Sequence, residues 1–373
     1  MTPKMKPLSL PRRLLLGPGP SEVPPEVLKA MSTPLLGHLD PAFLQLMDET
    51  MAGLREVFAT QNQMTLPISG TGSAGMEAAV VNLLNPGDRI VVGVCGYFGE
   101  RLAEMARRRR AEVTVVEAPW GRPVDPDDVA RALSNGGARV VAIVHGETST
   151  GVLQPLAEIS SLAKRHAALF LVDAVCTLGG LPVPTDELGI DLAYSGSQKC
   201  LSAPPGLAPL TASWEVMDRV RARKEASASW YLDLRLLDGY WAGAQRVYHH
   251  TAPISMIYAL REALRLALDE GLEARYRRHQ EAYKSLLAGL SRLGLEPAVA
   301  AEHRLPTLTA VKVPDGVDEK ALRRRLLEED GIEIAGGLGP FAGKIVRIGL
   351  MGHSARTENV ERLLVVLGRA LGR

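Results

Sequence analysis

Three short stretches carry residue types that could do chemistry together. Residues 66 to 80, LPISGTGSAGMEAAV, contain Gly70-Thr71-Gly72-Ser73-Ala74-Gly75, a G-x-G-x-x-G string. It leads into Ser73–Leu84, rich in Ala, Met, Glu and Leu, which stops at Asn85-Pro86-Gly87. A helix starting in such a turn offers free N–H groups and a positive dipole end to a phosphate, and the Thr71 and Ser73 hydroxyls could add donors. The glycines equally suit a plain tight turn that lets elements pack closely. A dinucleotide site would need a ribose-binding acid about 20 residues further on. The next extended run, Arg89–Gly96, ends there in Cys95-Gly96, so a nicotinamide or flavin oxidoreductase lacks its carboxylate.

Strand ends supply the rest of the constellation. Leu169-Phe-Leu-Val-Asp173 closes a fully apolar run with a carboxylate, and a buried ionised acid is costly unless a cation meets it. A protonated pyridine nitrogen would be such a cation. Leu192-Ala-Tyr-Ser-Gly-Ser-Gln-Lys199 ends in a lysine within a small-residue loop. Burial lowers a lysine's pKa and makes it the amine nucleophile that a Schiff base with an aldehyde requires. The separation of 26 positions between Asp173 and Lys199 leaves room for one helix or loop unit. Singly, Asp173 could cap a helix and Lys199 could lie on the surface. With the glycine turn they make the set that pyridoxal phosphate needs: phosphate cradle, pyridinium partner and covalent anchor. Val141-Ala-Ile-Val-His145-Gly-Glu-Thr148 adds a polar cluster at a third strand end.

The elements that must position these ends follow from hydrophobic pattern. Apolar, β-branched runs at Arg89–Gly96, Glu112–Ala118, Arg139–His145, Leu169–Val175, Asp191–Ser195 and Leu207–Ser213 read as strands. Helical patterns at Phe98–Arg110, Asp125–Leu133 and Pro155–His166 lie between them. Continuous apolar strands separated by helices imply a mainly parallel sheet buried on both faces, with ligands at the carboxyl ends of its strands. After Thr251 the texture changes: one long helical pattern from about Ile257 to Leu293 precedes strands at Thr307–Val313 and Ile345–Leu350 and helices at Asp318–Glu329 and Thr357–Leu371. That predicts a smaller α+β domain joined through a long helix.

Composition narrows the function classes. With 373 residues the chain can bury a sizeable core. Its 43 basic and 42 acidic residues leave a net charge of +1, which predicts neither nucleic acid nor membrane as partner. The Arg107–Arg110 run reads as a solvated helix end. Cys95, Cys176 and Cys200 are too few and scattered for a disulfide framework or a zinc site, so no metal and a cytoplasmic location are expected.

The stretches SGTGSAGMEAAVVN, HGETSTGVLQPL, LVDAVCTLGG and YSGSQKCLSAPPGLAPL resemble the class V aminotransferases of fold type I, in the alanine–glyoxylate and serine–pyruvate branch. LLLGPGPSEVPPEVL, YHHTAPISMIYALREAL and VRIGLMGHSARTENVERL match that branch too, so the resemblance runs from about residue 14 to 365. It implies an α/β fold with an N-terminal arm at 1–25, a large pyridoxal-phosphate-binding domain at 26–256 and a small C-terminal domain at 257–373. It further implies that Lys199 is the covalent anchor and Asp173 the partner of the pyridine nitrogen. Gln198 and Thr148 would contact the cofactor, Thr71, Gly72 and Ser73 would bind its phosphate, and Phe98 would stack on its ring where relatives carry Trp or His. Tyr248 and Thr251 fall where the family completes the phosphate site from a neighbouring subunit, implying a homodimer with shared sites. Arg347, inside Ile345–Leu350, falls at the anchor for the substrate carboxylate, and a guanidinium fork suits that role. His38, in Gly37-His38-Leu39, falls in the segment lining the substrate pocket, where it either contacts substrate or is structural.

One arginine anchor predicts small monocarboxylic substrates: alanine or serine as amino donor, glyoxylate or pyruvate as acceptor, in a ping-pong sequence. A cysteine desulfurase would need a nucleophilic cysteine in the C-terminal part, and none follows Cys200. A non-catalytic paralogue is the remaining alternative, opposed by the intact Lys199, Asp173 and Arg347.

Overall fold

The computed structural model describes residues 5–243 and 245–373. A seven-stranded sheet forms from β1 (Met64–Ser69), β2 (Arg89–Val94), β3 (Glu112–Glu117), β4 (Val140–Val144), β5 (Leu169–Asp173), β6 (Leu192–Tyr194) and β7 (Leu207–Ala212). Its spatial order is β1-β7-β6-β5-β4-β2-β3. All neighbours run parallel except β7, which is antiparallel to β1 and β6. Every residue of β4, β5 and β7 is buried, as strands covered on both faces must be. Helices α1 (Pro41–Phe58), α2 (Gly72–Leu83), α3 (Tyr97–Arg108), α4 (Pro126–Ser134) and α5 (Ala157–Arg165) supply side chains to the same core.

β1 is an element the pattern did not reveal. Pro67 interrupts its apolar run and faces Pro209 across the β1–β7 pair. An edge strand tolerates a proline because one of its sides needs no ladder bond. The long helical pattern after Ile257 resolves into two helices, α6 (Ile254–Glu270) and α7 (Leu272–Arg292), because Gly271 adopts φ 80° between them. α6 buries Ile257, Leu260 and Leu264 in the main core, whereas α7 buries Leu286 and Leu290 in a second one.

That second core lies beneath an antiparallel sheet of β8 (Leu308–Lys312), β9 (Ala335–Gly336) and β10 (Ile345–Gly349), in the order β8-β10-β9. Helices α8 (Glu319–Asp330) and α9 (Thr357–Leu371) contribute to it. The N-terminal segment joins it as well: Leu14–Leu15 pairs in parallel with Ile332–Glu333, and Gly349 donates to the Leu16 carbonyl. Among the described residues no helix is long and apolar enough to cross a membrane.

Candidate active site

The carboxyl ends of β1, β2, β4, β5 and β6 converge on one cavity of about 110 Å³. Thr71, Gly72 and Ser73 reach it from the turn after β1, Phe98 from the start of α3, and Thr148 from the loop after β4. Asp173 arrives at the end of β5, and Gln198 and Lys199 on the loop after β6. Sequence-distant segments thus meet where parallel α/β sheets bind ligands.

The helix starts differ in a way that matters. α1 is capped by its own Asp40, whose carboxylate accepts from Ala42 N at 2.8 Å. α2 has Thr71 at its N-cap, which makes no side-chain capping bond, so its first donors remain available to an anion. Gly75 explains the last glycine of the string: a Cβ there would lie 3.0 Å from Ala208 Cβ and 3.3 Å from Tyr194 Cβ. The turn therefore does both things open to it, close packing at Gly75 and donor presentation at Gly72 and Ser73.

Asp173 is 3% exposed. It accepts from Val175 N at 2.8 Å and from the Tyr194 hydroxyl at 2.8 Å. Burial pushes its pKa up to about 6, against those two bonds and the longer-range fields of Lys199 and Arg101. Among the described residues this carboxyl forms no ion pair. Burial also lowers the Lys199 pKa, and Arg347 lowers it further; the ammonium donates to the Pro18 carbonyl. Gln198 Oε1 is buried with no hydrogen-bond partner.

A family model for aminotransferase class V matches residues 13–363. The chain belongs to the class V aminotransferases. It is 44% identical to the (S)-ureidoglycine–glyoxylate transaminase of Bacillus subtilis (strain 168), covering 97% of this chain and 90% of that protein. It is likewise 44% identical to the alanine–glyoxylate aminotransferase of Callithrix jacchus, covering 98% and 89%. The crystal structure of an alanine–glyoxylate aminotransferase from Nostoc sp. superposes with a TM-score of 0.97 at 49% identity, covering 99% of this chain and 97% of that one.

Class V aminotransferases are pyridoxal-phosphate enzymes of this fold, and the residues present in this aminotransferase fit the group. The cavity holds an acid waiting for a cation, an amine with a lowered pKa, an uncapped helix start and an orphaned amide oxygen. Arg101, which the hydrophobic pattern does not single out, also lines it. Its guanidinium donates to Ser73 Oγ at 3.1 Å and sits 4.9 Å from the Phe98 ring centroid. The spacing Phe98 to Arg101, three apart on one helix, was the available signal.

Other expected residues lie elsewhere. Arg347 lies just outside the cavity, 6% exposed, between Ala310 and Ala335 across the small sheet. Its Nη1 donates to the Thr148 carbonyl at 3.0 Å and its Nε to the Gly336 carbonyl at 2.6 Å. Tyr248, 55% exposed, and Thr251, also exposed, line no part of the cavity, and neither does His38. The Tyr248 ring packs 5.0 Å from His38, and His250 anchors the segment beside the glycine turn through Ser69 Oγ at 2.7 Å.

Tyr194 yields a direct test. Its hydroxyl stabilises the ionised form of Asp173, so Tyr194→Phe raises that pKa further. A hydrogen bond to a charged group is worth about 1.5–3 kcal/mol, or roughly one to two pH units. The acid limb of pyridoxal phosphate binding, followed by equilibrium dialysis across pH, is expected to move up by at least about one unit. An unmoved limb would show that the hydroxyl does not act on this carboxylate.

Proposed function

We propose that this aminotransferase transfers an amino group from a small amino acid, alanine or serine, to glyoxylate or pyruvate. The observation that carries the substrate class is Arg347. This buried guanidinium spends two nitrogens on backbone carbonyls and, among the described residues, makes no ion pair. A buried arginine without a carboxylate is a site for one. One such anchor suits a monocarboxylate, and the relatives named above, with glyoxylate common to both, support the same class.

Bound pyridoxal phosphate supplies an electron sink for the pair released when the substrate Cα–H bond breaks. Lys199 is the covalent anchor and then the base: with its pKa lowered by burial, Nζ takes the proton from the substrate Cα. Asp173 holds the proton on the ring nitrogen. Thr71, Gly72 and Ser73 bind the phosphate at the start of α2, with Gln198 and Thr148 as further polar contacts and Phe98 as the stacking face. Arg347 grips the carboxylate of the donor and, in the second half of the ping-pong cycle, that of the acceptor.

The site is completed in a homodimer on this reading. Trp230, Tyr231, Val247 and Tyr248 leave an apolar patch exposed around the segment that carries Thr251, a composition suited to burial against a second copy. Tyr248 and Thr251 then reach the partner's phosphate site, and His38 lies at its mouth. Sedimentation of the loaded enzyme is expected to give a dimer, and a monomer with full activity would remove this part of the reading.

Two measurements test the substrate class. A panel of amino donors against glyoxylate, pyruvate and 2-oxoglutarate is expected to favour the first two acceptors, and a strong preference for 2-oxoglutarate would overturn the single-anchor argument. Arg347→Lys keeps the charge but loses the fork. Removing one charge-assisted bond of about 1.5–3 kcal/mol predicts a fall in kcat/KM of roughly 10- to 150-fold for donor and acceptor alike.

A further inference from the structure

The most heavily engaged carboxylate near the site is one to which the reaction assigns no role. Glu147 is fully buried, and its four hydrogen bonds all come from two directions. Oε2 accepts from Phe98 N at 3.0 Å and Gly99 N at 3.3 Å, both at the start of α3. Oε1 accepts from Ser149 N at 3.0 Å and Ser149 Oγ at 2.6 Å. Ser149 Oγ in turn accepts from Tyr97 N at 3.0 Å.

The first donors of α3 are therefore capped from another segment. Gly96, at its N-cap, has no side chain to do so, and Glu100 N already bonds to the Gly96 carbonyl. The N–H groups of Tyr97, Phe98 and Gly99 all end on Glu147 or Ser149, some 50 residues away. The absence of a side chain at Gly96 is what permits this approach: a Cβ there would lie 2.4 Å from Ser149 Oγ and 2.6 Å from Glu147 Cγ. Between the two capping residues stands Thr148, which lines the cavity and whose carbonyl receives Arg347 Nη1.

We infer that Glu147 and Ser149 are positioning residues that lock the Phe98-bearing start of α3 to the Thr148 loop, thereby fixing where the cofactor ring is held. The inference rests on the proposed stacking role of Phe98. Neither residue lines the cavity; the pair acts through the backbone of Phe98 on one side and of Thr148 on the other. Because a carboxylate at an N-terminus accepts without donating, an amide there turns an N–H toward N–H groups. Glu147→Gln is thus more disruptive than its size suggests. Ser149→Ala removes one acceptor for Tyr97 N and one donor to Glu147 while leaving the carboxylate in place.

The test is a double-mutant cycle on pyridoxal phosphate affinity, measured by equilibrium dialysis, with the visible circular dichroism of the bound cofactor as a second readout. Ser149→Ala is expected to weaken binding several-fold and to reduce the dichroic band, and Glu147→Gln to weaken it about tenfold or more. In a Phe98→Ala background Ser149→Ala is expected to add less than about twofold, because the ring it positions is gone. Should Glu147→Gln fail to fold, the Ser149 and Phe98 arms decide alone. Native affinity and dichroism in Ser149→Ala, or losses that simply multiply with those of Phe98→Ala, would overturn the inference. Borohydride reduction and peptide mapping of the native enzyme read the underlying assignment separately: label away from Lys199 defeats that reading whatever the cycle gives.

Discussion

Lys199→Ala is expected to yield a folded protein that binds pyridoxal phosphate without a covalent bond and turns over at least about 10²- to 10⁴-fold more slowly. That range is what a positioned general base alone contributes; loss of the covalent anchor adds to it. Folding survives because the removed amine makes one hydrogen bond, to the Pro18 carbonyl, and burial already disfavours its charge. After borohydride reduction, the native protein is expected to carry the cofactor on the Lys199 peptide and the variant none. A small primary amine added to the variant is expected to restore part of the turnover, since the cavity left by the side chain admits it. Undiminished turnover in the variant would place the base elsewhere.

Asp173→Asn is expected to pull stability and activity in opposite directions. Without cofactor, burial raises this carboxyl from 3.8 to about 6. An acid whose folded pKa exceeds its unfolded value stabilises only below the unfolded value, and that contribution fades as pH rises toward about 6. At neutral pH the ionised, buried group therefore costs on the order of 3 kcal/mol. The cofactor-free Asn variant is expected to unfold at higher denaturant than the native chain at neutral pH, with the advantage vanishing below about pH 4. With cofactor the order reverses, because the ring nitrogen loses its counter-charge. Breaking a buried charge pair by deleting one partner costs about 3–5 kcal/mol, so a drop in turnover of roughly 10²- to 10⁴-fold is expected. Equal stability of the two cofactor-free proteins across pH would show that the carboxylate is not strained by burial.

Much of the site was legible in the chain because it sits at punctuation marks. A carboxylate ending an apolar strand, a lysine ending a small-residue loop and a glycine turn opening a helix are local breaks in pattern. All three mark positions that the tertiary structure brings to the cavity wall. Arg347 was picked out by the family resemblance, with its place as a charge in the middle of Ile345–Leu350 as the supporting signal, and the structure buries it just outside the cavity. Glu147 was not, because within His145-Gly-Glu-Thr-Ser-Thr150 it is one polar residue among several. Arg101 was hidden among the arginines of an amphipathic helix.

By itself, the sequence determined the alternation of strands and helices, the parallel sheet and the residue types gathered at its carboxyl edge. Hydrophobic periodicity and turn chemistry act over a few residues, and every chain segment carries them in full. Only the tertiary structure decided that β1 joins the sheet despite Pro67, that the long helical pattern breaks at Gly271, and that α2 starts uncapped while α3 is capped by Glu147. It alone decided that Arg347 is buried and, among the described residues, forms no ion pair. These outcomes depend on which groups lose water and which partner reaches them from far along the chain, and both are properties of the packed molecule rather than of any stretch of it.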